Sequence, residues 1–426
     1  MDVSIEKIVY PGRRLARREG RVYFTDEGLP GETVEIAPLR EHKSYVEART
    51  VRVIVPSADR RAPRCSHYQA CSPLQTMDYG RQVETKAGQL AEILAPVWKS
   101  ESGAIAFTPS PLAWRYRNRI RLSIIKSNRR AALAYHTAGS RDAYVPVEEC
   151  HLASEAANRL LAEIARIASN RETASPKEVE VRESRATGDT LLSLFWSAQP
   201  TALDIDPFVT GIVSGNRPAG IVSFFREKGH LGEKLEWGRD AIDDTVEDTV
   251  FRIGASSFFQ VNGAILPALL ADMRGWGEFQ GREKIADLYG GLGTFGLAFA
   301  RDARDVFVVE SDPANIRFLR ENIGLNKAAN VTICEGTSEE WMPWLAEQAP
   351  DIVIVDPPRK GLAPEVVRAL AARPAAKILY LSCNPATLAR DLVALKSGYR
   401  IAGIRGYDFF PHTPHIEALA ILHRRP

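Results

Sequence analysis

The sequence predicts an α/β protein whose carboxyl-terminal part is a Rossmann-like domain. Three largely apolar runs, at 285–288, 306–309 and 352–355, have the length and composition of buried parallel strands. A glycine-rich segment, 290–296, follows the first run and precedes a helix start. A fourth run, 378–381, leads directly into another helical pattern. Strands and helices that alternate in this way form a parallel sheet, with functional groups at the carboxyl ends of its strands.

Cys383 lies between the fourth of these strands and the helix that follows. Asn384 is a natural N-cap and Pro385 suits the first helical turn, so we expect the thiol at the positive end of the helix. That field stabilises a thiolate and lowers a cysteine pKa from about 8.5 toward neutrality. The alternative is a small buried side chain that closes the strand without chemistry.

Two carboxylates follow other strands of the predicted sheet. Asp356 comes after the run 352–355 and precedes a double-proline turn, and Glu310 follows the run 306–309. Because parallel strands present functional groups at one edge, we expect Asp356 and Cys383 to lie side by side. An acid at the position of Glu310 suits a ribose diol, which offers two hydroxyl donors.

The glycine-rich segment does not identify a cofactor by itself. Its glycines, Gly290, Gly291, Gly293 and Gly296, lack the clean G-x-G-x-x-G spacing of a pyrophosphate site. No arginine or lysine follows at once to meet a phosphate. A ribose-binding acid without a phosphate cradle favours S-adenosylmethionine over a dinucleotide.

These motifs resemble those of the RNA 5-methyluridine methyltransferases, a class I methyltransferase family, and the likeness extends over nearly the whole chain. It is greatest for members that carry a TRAM barrel and modify ribosomal RNA. The family's motifs occur here in order: FFQVN (258–262), DLYGGLGTF (287–295), DPPRKGL (356–362), SCNPATLARDL (382–392) and FPHTPHIE (410–417). The resemblance implies that S-adenosylmethionine contacts Gln260, Tyr289, Gly291, Glu310 and Asp356.

The resemblance also assigns the chemistry. Carbon 5 of uracil is a poor nucleophile, so a thiolate first adds to carbon 6, and this role falls to Cys383. A base must then remove the proton on carbon 5, and the family places this role on Glu417. Glu417 stands in an apolar strand, where burial of an unpaired carboxylate is costly. This cost favours a functional role for Glu417 over a structural one. We expect His412 and His415 to be hydrogen-bonded neighbours, with contact to RNA phosphate as the alternative.

We expect three domains. Short strand-like pieces between turns predict an OB-type, TRAM-like β-barrel over residues 1–56 that binds RNA. A middle α+β domain is predicted for 57–245, with helices at 82–97 and 155–167, and the Rossmann-like catalytic domain for 246–426. The predicted barrel carries a group of arginines for RNA contact: Arg13, Arg14, Arg17, Arg18 and Arg21.

A second arginine group lies in the predicted middle domain. The segment 114–122 alternates strictly and places four arginines on one face of a strand: Arg115, Arg117, Arg119 and Arg121. No acidic residue interrupts the segment, so we expect this face to contact RNA phosphates. The alternative is a solvated face of a sheet.

Three cysteines of the middle region, Cys65, Cys71 and Cys150, resemble part of an iron-sulfur site. Cluster-bearing relatives have Cys-x5-Cys-Gly-Gly-Cys and a later cysteine, whereas here Ser72 and Pro73 follow Cys71 and the third cysteine is missing. The resemblance favours a 4Fe-4S cluster. The alternatives are zinc, with a histidine as the fourth ligand, or a vestigial site without metal.

Composition fits a cytoplasmic enzyme. The net charge of +2 is too small to indicate a nucleic-acid partner by itself, and five cysteines do not form a secreted disulfide scaffold. The first residues lack the basic and apolar regions of a signal peptide, and no apolar run reaches the length of a membrane span. We expect a monomer that binds RNA, with 23S ribosomal RNA favoured and transfer RNA as the alternative. A non-catalytic RNA-binding or ribosome-assembly factor is the competing class.

Overall fold

The fold is described from a computed structural model of the protein. It covers residues 1–99, 103–127, 130–137, 142–169, 174–227, 230–372 and 375–426. No helix within these ranges is long and apolar enough to cross a membrane.

The amino-terminal strands close into a barrel, as the sequence predicts. Its strands are β1 (Asp2–Val9), β2 (Arg13–Arg18), β3 (Arg21–Thr25), β4 (Thr33–Glu41) and β5 (Val46–Val55). They pair in the order β1-β2-β3-β5-β4, and alternate side chains along each strand fill the interior. Val3, Ile5, Val34 and Val46 are buried there and form part of the small core of the barrel.

The middle of the chain forms a mixed sheet with helices against it. The helices are α1 (Tyr68–Cys71), α2 (Tyr79–Leu94), α3 (Glu155–Ser169) and α4 (Ala202–Gly215). After the short strand β6 (Ala106–Thr108) come β7 (Arg119–Ser127), β8 (Arg130–His136), β9 (Tyr144–Pro146), β10 (Glu178–Glu183), β11 (Thr190–Phe195), β12 (Gly220–Glu227) and β13 (His230–Gly238). The sheet order is β13-β12-β11-β10-β7-β8-β9, and α3 packs its apolar side on the core of this sheet.

A hairpin leads into the carboxyl-terminal fold. It consists of β14 (Ala241–Val246) and β15 (Thr249–Gly254), so the domain boundary expected at 245/246 falls inside a strand. The three-domain division remains a prediction.

The carboxyl-terminal part has the predicted Rossmann-like architecture. Its strands are β16 (Lys284–Leu288), β17 (Asp305–Glu310), β18 (Val331–Glu335), β19 (Ile352–Val355), β20 (Lys377–Ser382), β21 (Tyr399–Tyr407) and β22 (Glu417–Arg424). Its helices are α5 (Leu266–Gly277), α6 (Thr294–Ala298), a 3-10 turn at Ala300–Asp302, α7 (Pro313–Leu325), α8 (Ser338–Gln348), α9 (Pro364–Ala372) and α10 (Pro385–Leu395). The order β18-β17-β16-β19-β20-β22-β21-β6 is parallel from β18 to β20, and β22 runs antiparallel.

Helix α2 of the middle region is tied to the loop after β21 by a buried ion pair. The Lys86 ammonium donates to Asp408 Oδ1 at 2.7 Å and to the Phe410 carbonyl at 2.9 Å. Gln82 Nε2 lies 3.0 Å from His412 Nδ1, within hydrogen-bonding distance. The side-chain oxygen of Gln82, Oε1, accepts a hydrogen bond from the His412 backbone N–H. These bonds fix the start of the loop that leads to Glu417.

The arginine face predicted for phosphate contact is ion-paired instead. Arg119 Nε lies 2.7 Å from Glu180 Oε1, and Arg121 pairs with Glu178, so both carboxylates come from the neighbouring strand β10. Arg115 pairs with Glu155 at 3.3 Å. The sequence segment contains no acid, but strand pairing supplies the counter-charges. The expectation that this face lacks counter-charges is therefore wrong for these three arginines, and contact of the face with RNA phosphates stays a prediction.

The arginines of the barrel are also largely neutralised. Arg13 pairs with Glu47, Arg17 with Glu6, Arg18 with Glu19, and Arg21 with Glu41. Arg14 is buried and donates to backbone carbonyls. These five side chains do not form the free cationic patch that the sequence suggests.

Candidate active site

Four strands of the sheet end together and carry the candidate residues at one edge. Leu288 pairs in parallel register with Val309 and with Val355, and Val355 pairs with Tyr380. The residues that follow these strands therefore converge. This is the arrangement expected from the sequence, because parallel strands present their carboxyl ends on the same side.

Cys383 occupies the predicted position at the start of a helix. The Asn384 side chain accepts from the Ala386 backbone N–H at 3.2 Å, and Pro385 stands in the first turn of α10. Ser382 pairs with Ala418 across the antiparallel strands β20 and β22, so Cys383 lies beside Glu417.

The pKa of Cys383 moves in the direction opposite to the sequence prediction. Burial, followed by the charges of Glu417 and Asp356, raises the pKa of this thiol to about 12, and Arg359 opposes the shift. The field of the helix N-terminus is a local effect of about 1 kcal/mol. It does not outweigh desolvation together with two neighbouring carboxylates. In the free protein Cys383 is therefore a protonated thiol at neutral pH.

Glu417 is a buried carboxyl group, and the half-buried carboxyl group of Asp356 lies near it. Burial, and then the charge of Asp356, raises the pKa of Glu417 well above its ordinary value, against the charge of Arg359. Burial raises the pKa of Asp356 from 3.8 to about 7. Asp356 Oδ2 accepts a hydrogen bond from Gln260 Nε2 at 3.2 Å, which brings FFQVN (258–262) to the end of β19.

A cavity of about 260 Å³ opens next to this pocket at the ends of β16 and β17. Tyr289 and Glu310 line it, together with residues at the start of α8 and the double-proline turn. The Glu310 carboxylate accepts backbone N–H groups from Gly291 at 2.8 Å, Ser311 at 2.8 Å and Asp312 at 2.7 Å. A carboxylate has about four acceptor positions, so about one remains for a ribose hydroxyl. An aromatic side chain beside a carboxylate in a cavity of this kind fits the adenosine part of S-adenosylmethionine.

The structure thus divides the predicted site residues into two adjoining groups. Cys383, Glu417, Asp356 and Gln260 form the first group. Tyr289 and Glu310 line the cavity, and Gly291 is hydrogen-bonded to Glu310. His412 stacks on Trp114 with ring centroids 3.7 Å apart, and burial lowers its pKa to about 3. This confirms that His412 is a hydrogen-bonded neighbour rather than a phosphate ligand.

The three cysteines of the middle region do not form a metal centre. Cys65 Sγ accepts from Gln75 Nε2 at 3.3 Å, Cys71 Sγ lies 3.2 Å from Ser72 Oγ, and Cys150 Sγ lies 3.7 Å from the Tyr135 hydroxyl. Each thiol has a neutral partner, and burial raises the pKa of Cys71 to about 12.

Within the described ranges, no group of three or more His, Cys, Asp or Glu side chains is placed to hold a metal ion. These residues do not fit a 4Fe-4S cluster, and the expectation of one is not supported.

Two groups near Cys383 were not assigned from the sequence. Arg359 acts on the pKa of both Cys383 and Glu417 and is the positive charge of this pocket. Tyr10 comes from the barrel, and its phenol is affected by the charges of Cys383 and Glu417. No sequence signal links a tyrosine of the first strand region to the carboxyl-terminal motifs, since only tertiary packing brings them together.

The parallel sheet order, with a cavity at the strand ends, is that of a class I methyltransferase fold. A family model described as tRNA (uracil-5-)-methyltransferase matches residues 226–425. The sequence is 30% identical to an uncharacterised RNA methyltransferase of Synechocystis, over 99% of this chain and 95% of that protein. It is 29% identical to one of Enterococcus faecalis, over 99% and 96%. The chain therefore belongs to the RNA methyltransferase family that the Synechocystis protein represents.

A solved structure shares the whole fold. The tRNA (uracil-54, C5)-methyltransferase of Pyrococcus abyssi, in complex with S-adenosyl-L-homocysteine, superposes with a TM-score of 0.78 at 24% identity. The match covers 99% of this chain and 100% of that chain, and so includes the amino-terminal barrel.

Proposed function

We propose that this protein methylates carbon 5 of a uridine in RNA through a covalent adduct between Cys383 and carbon 6 of the base. The observation that carries the proposal is the convergence of one thiol and two carboxyls beside the cavity lined by Tyr289 and Glu310. A thiol at this place has no role in a direct methyl transfer to nitrogen or oxygen. Carbon 5 methylation requires one.

The first half of the reaction makes carbon 5 nucleophilic. The Cys383 thiol gives its proton to the ionised Asp356 carboxylate, which returns it when Cys383 leaves. The Cys383 sulfur forms a bond to carbon 6, and the electron pair of the 5,6 double bond moves toward the carbonyl at carbon 4. When bound in the cavity, S-adenosylmethionine supplies a methyl group that carbon 5 of this enolate attacks. Glu310 and Tyr289 hold the adenosine end of the donor, and Asp356 with Gln260 faces the reacting part of the pocket.

The second half of the reaction regenerates the enzyme. Carbon 5 now carries both a methyl group and a proton, and Glu417 in its ionised form accepts that proton. The electron pair left on carbon 5 restores the 5,6 double bond, the carbon–sulfur bond breaks, and Cys383 leaves as a thiolate. A carboxyl with a raised pKa suits this role, because it binds the proton firmly after the transfer.

The target base has to leave its stack before Cys383 can reach it. The sequence preference for ribosomal RNA depended in part on the barrel. The Pyrococcus abyssi transfer-RNA enzyme matches this chain along its full length, so the barrel does not separate the two substrates. The proposal therefore covers a uridine in either RNA, and it includes the monomeric state and the cytoplasmic location expected from composition.

The proposal is tested by trapping the adduct. Ribosomal and transfer RNAs containing 5-fluorouridine are incubated with S-adenosylmethionine and wild-type protein, Cys383→Ala, or Cys334→Ala. Cys334 is a buried strand cysteine at a distance from the pocket and is the matched control. Fluorine cannot leave carbon 5 as a proton does, so wild type and Cys334→Ala should give a methylated covalent complex with one RNA class. No complex with any RNA, despite tight binding, would favour the non-catalytic RNA-binding factor.

A further inference from the structure

A turn of the barrel packs against the catalytic part of the molecule. The turn follows β1, and its Gly12 N–H donates to the Val9 carbonyl at 2.7 Å. The buried Arg14 guanidinium holds it by donating to the Gly12 carbonyl and to the Pro73 carbonyl, the latter at 3.0 Å. Gln89 Nε2 on α2 donates to the Ile8 carbonyl at 2.6 Å. The turn is therefore fixed from both sides.

This turn rests against the FPHTPHIE loop that ends in Glu417. Gly12 has a φ of 104°, and a Cβ at this position would lie 2.9 Å from Pro414 Cβ. The Leu74 N–H donates to the His412 carbonyl at 3.0 Å and fixes the same loop from its other end. The contact leaves no space for a side chain at Gly12, so the position of the turn relative to the loop is closely determined.

Tyr10 lies at the tip of this turn, within electrostatic range of Cys383. Its ring is half-buried against the hydrophobic core on that side of the catalytic sheet, which includes Ile416. Burial raises the pKa of the Tyr10 phenol, and the charges of Cys383 and Glu417 raise it further, against Arg359. A phenol with a raised pKa keeps its proton at neutral pH and remains a hydrogen-bond donor.

Among the groups of the pocket named above, Tyr10 is a hydroxyl that takes no part in the proton transfers. Cys383 acts as the nucleophile, and Glu417 and Asp356 are carboxyls. Arg359 is exposed and charged. Uracil offers two carbonyl oxygens, and one of them gains negative charge when the thiolate adds to carbon 6. A donor placed at that oxygen stabilises the transition state more than the ground state.

We propose that Tyr10 is a base-positioning residue that the barrel contributes to the target-base pocket, with its hydroxyl donating to a uracil carbonyl oxygen while Cys383 adds to carbon 6. No bond is made or broken at Tyr10, and its proton stays on oxygen. The barrel is then a part of the catalytic site as well as an RNA-binding module. This inference rests on the proposed adduct mechanism.

The test compares Tyr10→Phe with Tyr45→Phe in the full-length protein. Tyr45 is another barrel tyrosine, which contacts Phe24 and His42 instead of the pocket. With 5-fluorouridine RNA, we expect Tyr10→Phe to slow adduct formation by about a hundredfold at saturating RNA, with RNA and S-adenosylmethionine affinities unchanged. Tyr45→Phe should match wild type. An unchanged rate for Tyr10→Phe, when wild type forms the adduct, would overturn the inference, whereas the absence of an adduct in wild type would overturn the proposed function itself.

A glycine pair tests the placement of the turn while Tyr10 stays intact. Gly12→Ala and Gly20→Ala both put a side chain at positive φ in the barrel, but only the first meets a neighbour, since nothing lies within 4 Å of the Cβ position of Gly20. We expect Gly12→Ala to slow adduct formation and Gly20→Ala to leave it unchanged. Equal rates for the two variants would contradict the requirement for the turn.

Discussion

Glu417 lies beside Cys383 because strands β20 and β22 pair in a register that sets Ser382 opposite Ala418. The proposed nucleophile and the proposed base are therefore held by paired strands of the sheet rather than by separate loops. Their closeness also has an electrostatic cost, since the charge of Glu417 raises the pKa of the Cys383 thiol. The two groups cannot easily be ionised together, so the free pocket keeps its thiol protonated until the substrate and the donor are present.

Replacement of Glu417 by glutamine should separate the two halves of the reaction. Glu417→Gln keeps the shape of the side chain but cannot accept the proton from carbon 5. We expect turnover to fall by about a hundredfold to ten-thousandfold, because a general base contributes on this scale. The methylated adduct should accumulate on ordinary uridine RNA and be visible on a denaturing gel.

Cys383→Ala is the control for this experiment, and it should form no adduct. Normal turnover of Glu417→Gln would assign the base to another residue. A loss of adduct formation together with turnover would place Glu417 in the first half of the reaction.

Asp356→Asn should change the pH dependence of stability. Burial raises the pKa of Asp356 from 3.8 in the unfolded chain to about 7, so the folded protein binds the proton more tightly. Its contribution to stability is therefore full below pH 3.8 and is lost as the pH rises toward 7. At pH 8 the asparagine variant should be more stable than wild type by up to about 4 kcal/mol.

Denaturant unfolding of both proteins at pH 4 and pH 8 checks this prediction. Burial also raises the pKa of Asp287 to about 7, and the charge of Asp356 adds to that shift, so the asparagine variant also relieves part of the Asp287 shift and gains stability at pH 8 in the same direction. The same stability difference at both pH values would show that Asp356 is not desolvated as described.

The fold and the positions of the candidate site residues in it could be predicted because their signals are local. The apolar runs, the polar residue after each run and the cap formed by Asn384 are properties of short segments, and the structure contains each of them. Cys334 is likewise a buried strand cysteine, as its apolar neighbours suggest. The relative positions of Cys383 and Asp356 follow from the general rule that parallel strands present their carboxyl ends together.

The features that could not be predicted from the sequence depend on contacts between segments far apart in the chain. The partner of Arg119 is Glu180, on a strand that pairs with β7 only after folding. The pKa of Cys383 is set by burial and by carboxylates from two other strands, which exceed the local effect of the helix. Tyr10 joins the pocket through the packing of the barrel turn on the loop at Pro414. A pattern within one segment contains none of this information.

Glu310→Ala should weaken binding of S-adenosylmethionine specifically. Glu310 fixes the loop at Gly291 through a backbone hydrogen bond of 2.8 Å and faces the cavity. The loss of a charged acceptor costs about 1.5–3 kcal/mol, so we expect the dissociation constant to rise by about tenfold to a hundredfold. Isothermal titration calorimetry measures this change.

Glu335→Ala is the matched control for Glu310→Ala. Glu335 pairs with Glu310 in the strand register, but its carboxylate forms an exposed ion pair with Arg320. Its removal should leave the affinity unchanged. Equal losses for the two variants would indicate a general effect on the sheet edge.

The buried ion pair between Lys86 and Asp408 should be the main electrostatic link between α2 and the loop that leads to Glu417. Both side chains are 0% exposed, and burial lowers the pKa of Lys86 while Asp408 opposes that shift. Lys86→Met leaves Asp408 buried and without its cation, which costs about 3–5 kcal/mol. Lys86→Met combined with Asp408→Leu removes both charges and should recover much of this loss.

Lys7→Met is the control: it breaks an exposed pair with Glu92, also on α2, and should cost at most about 1 kcal/mol. Urea unfolding of the four proteins measures these differences, and similar losses for Lys86→Met and Lys7→Met would show that burial gives the Lys86 pair no special weight.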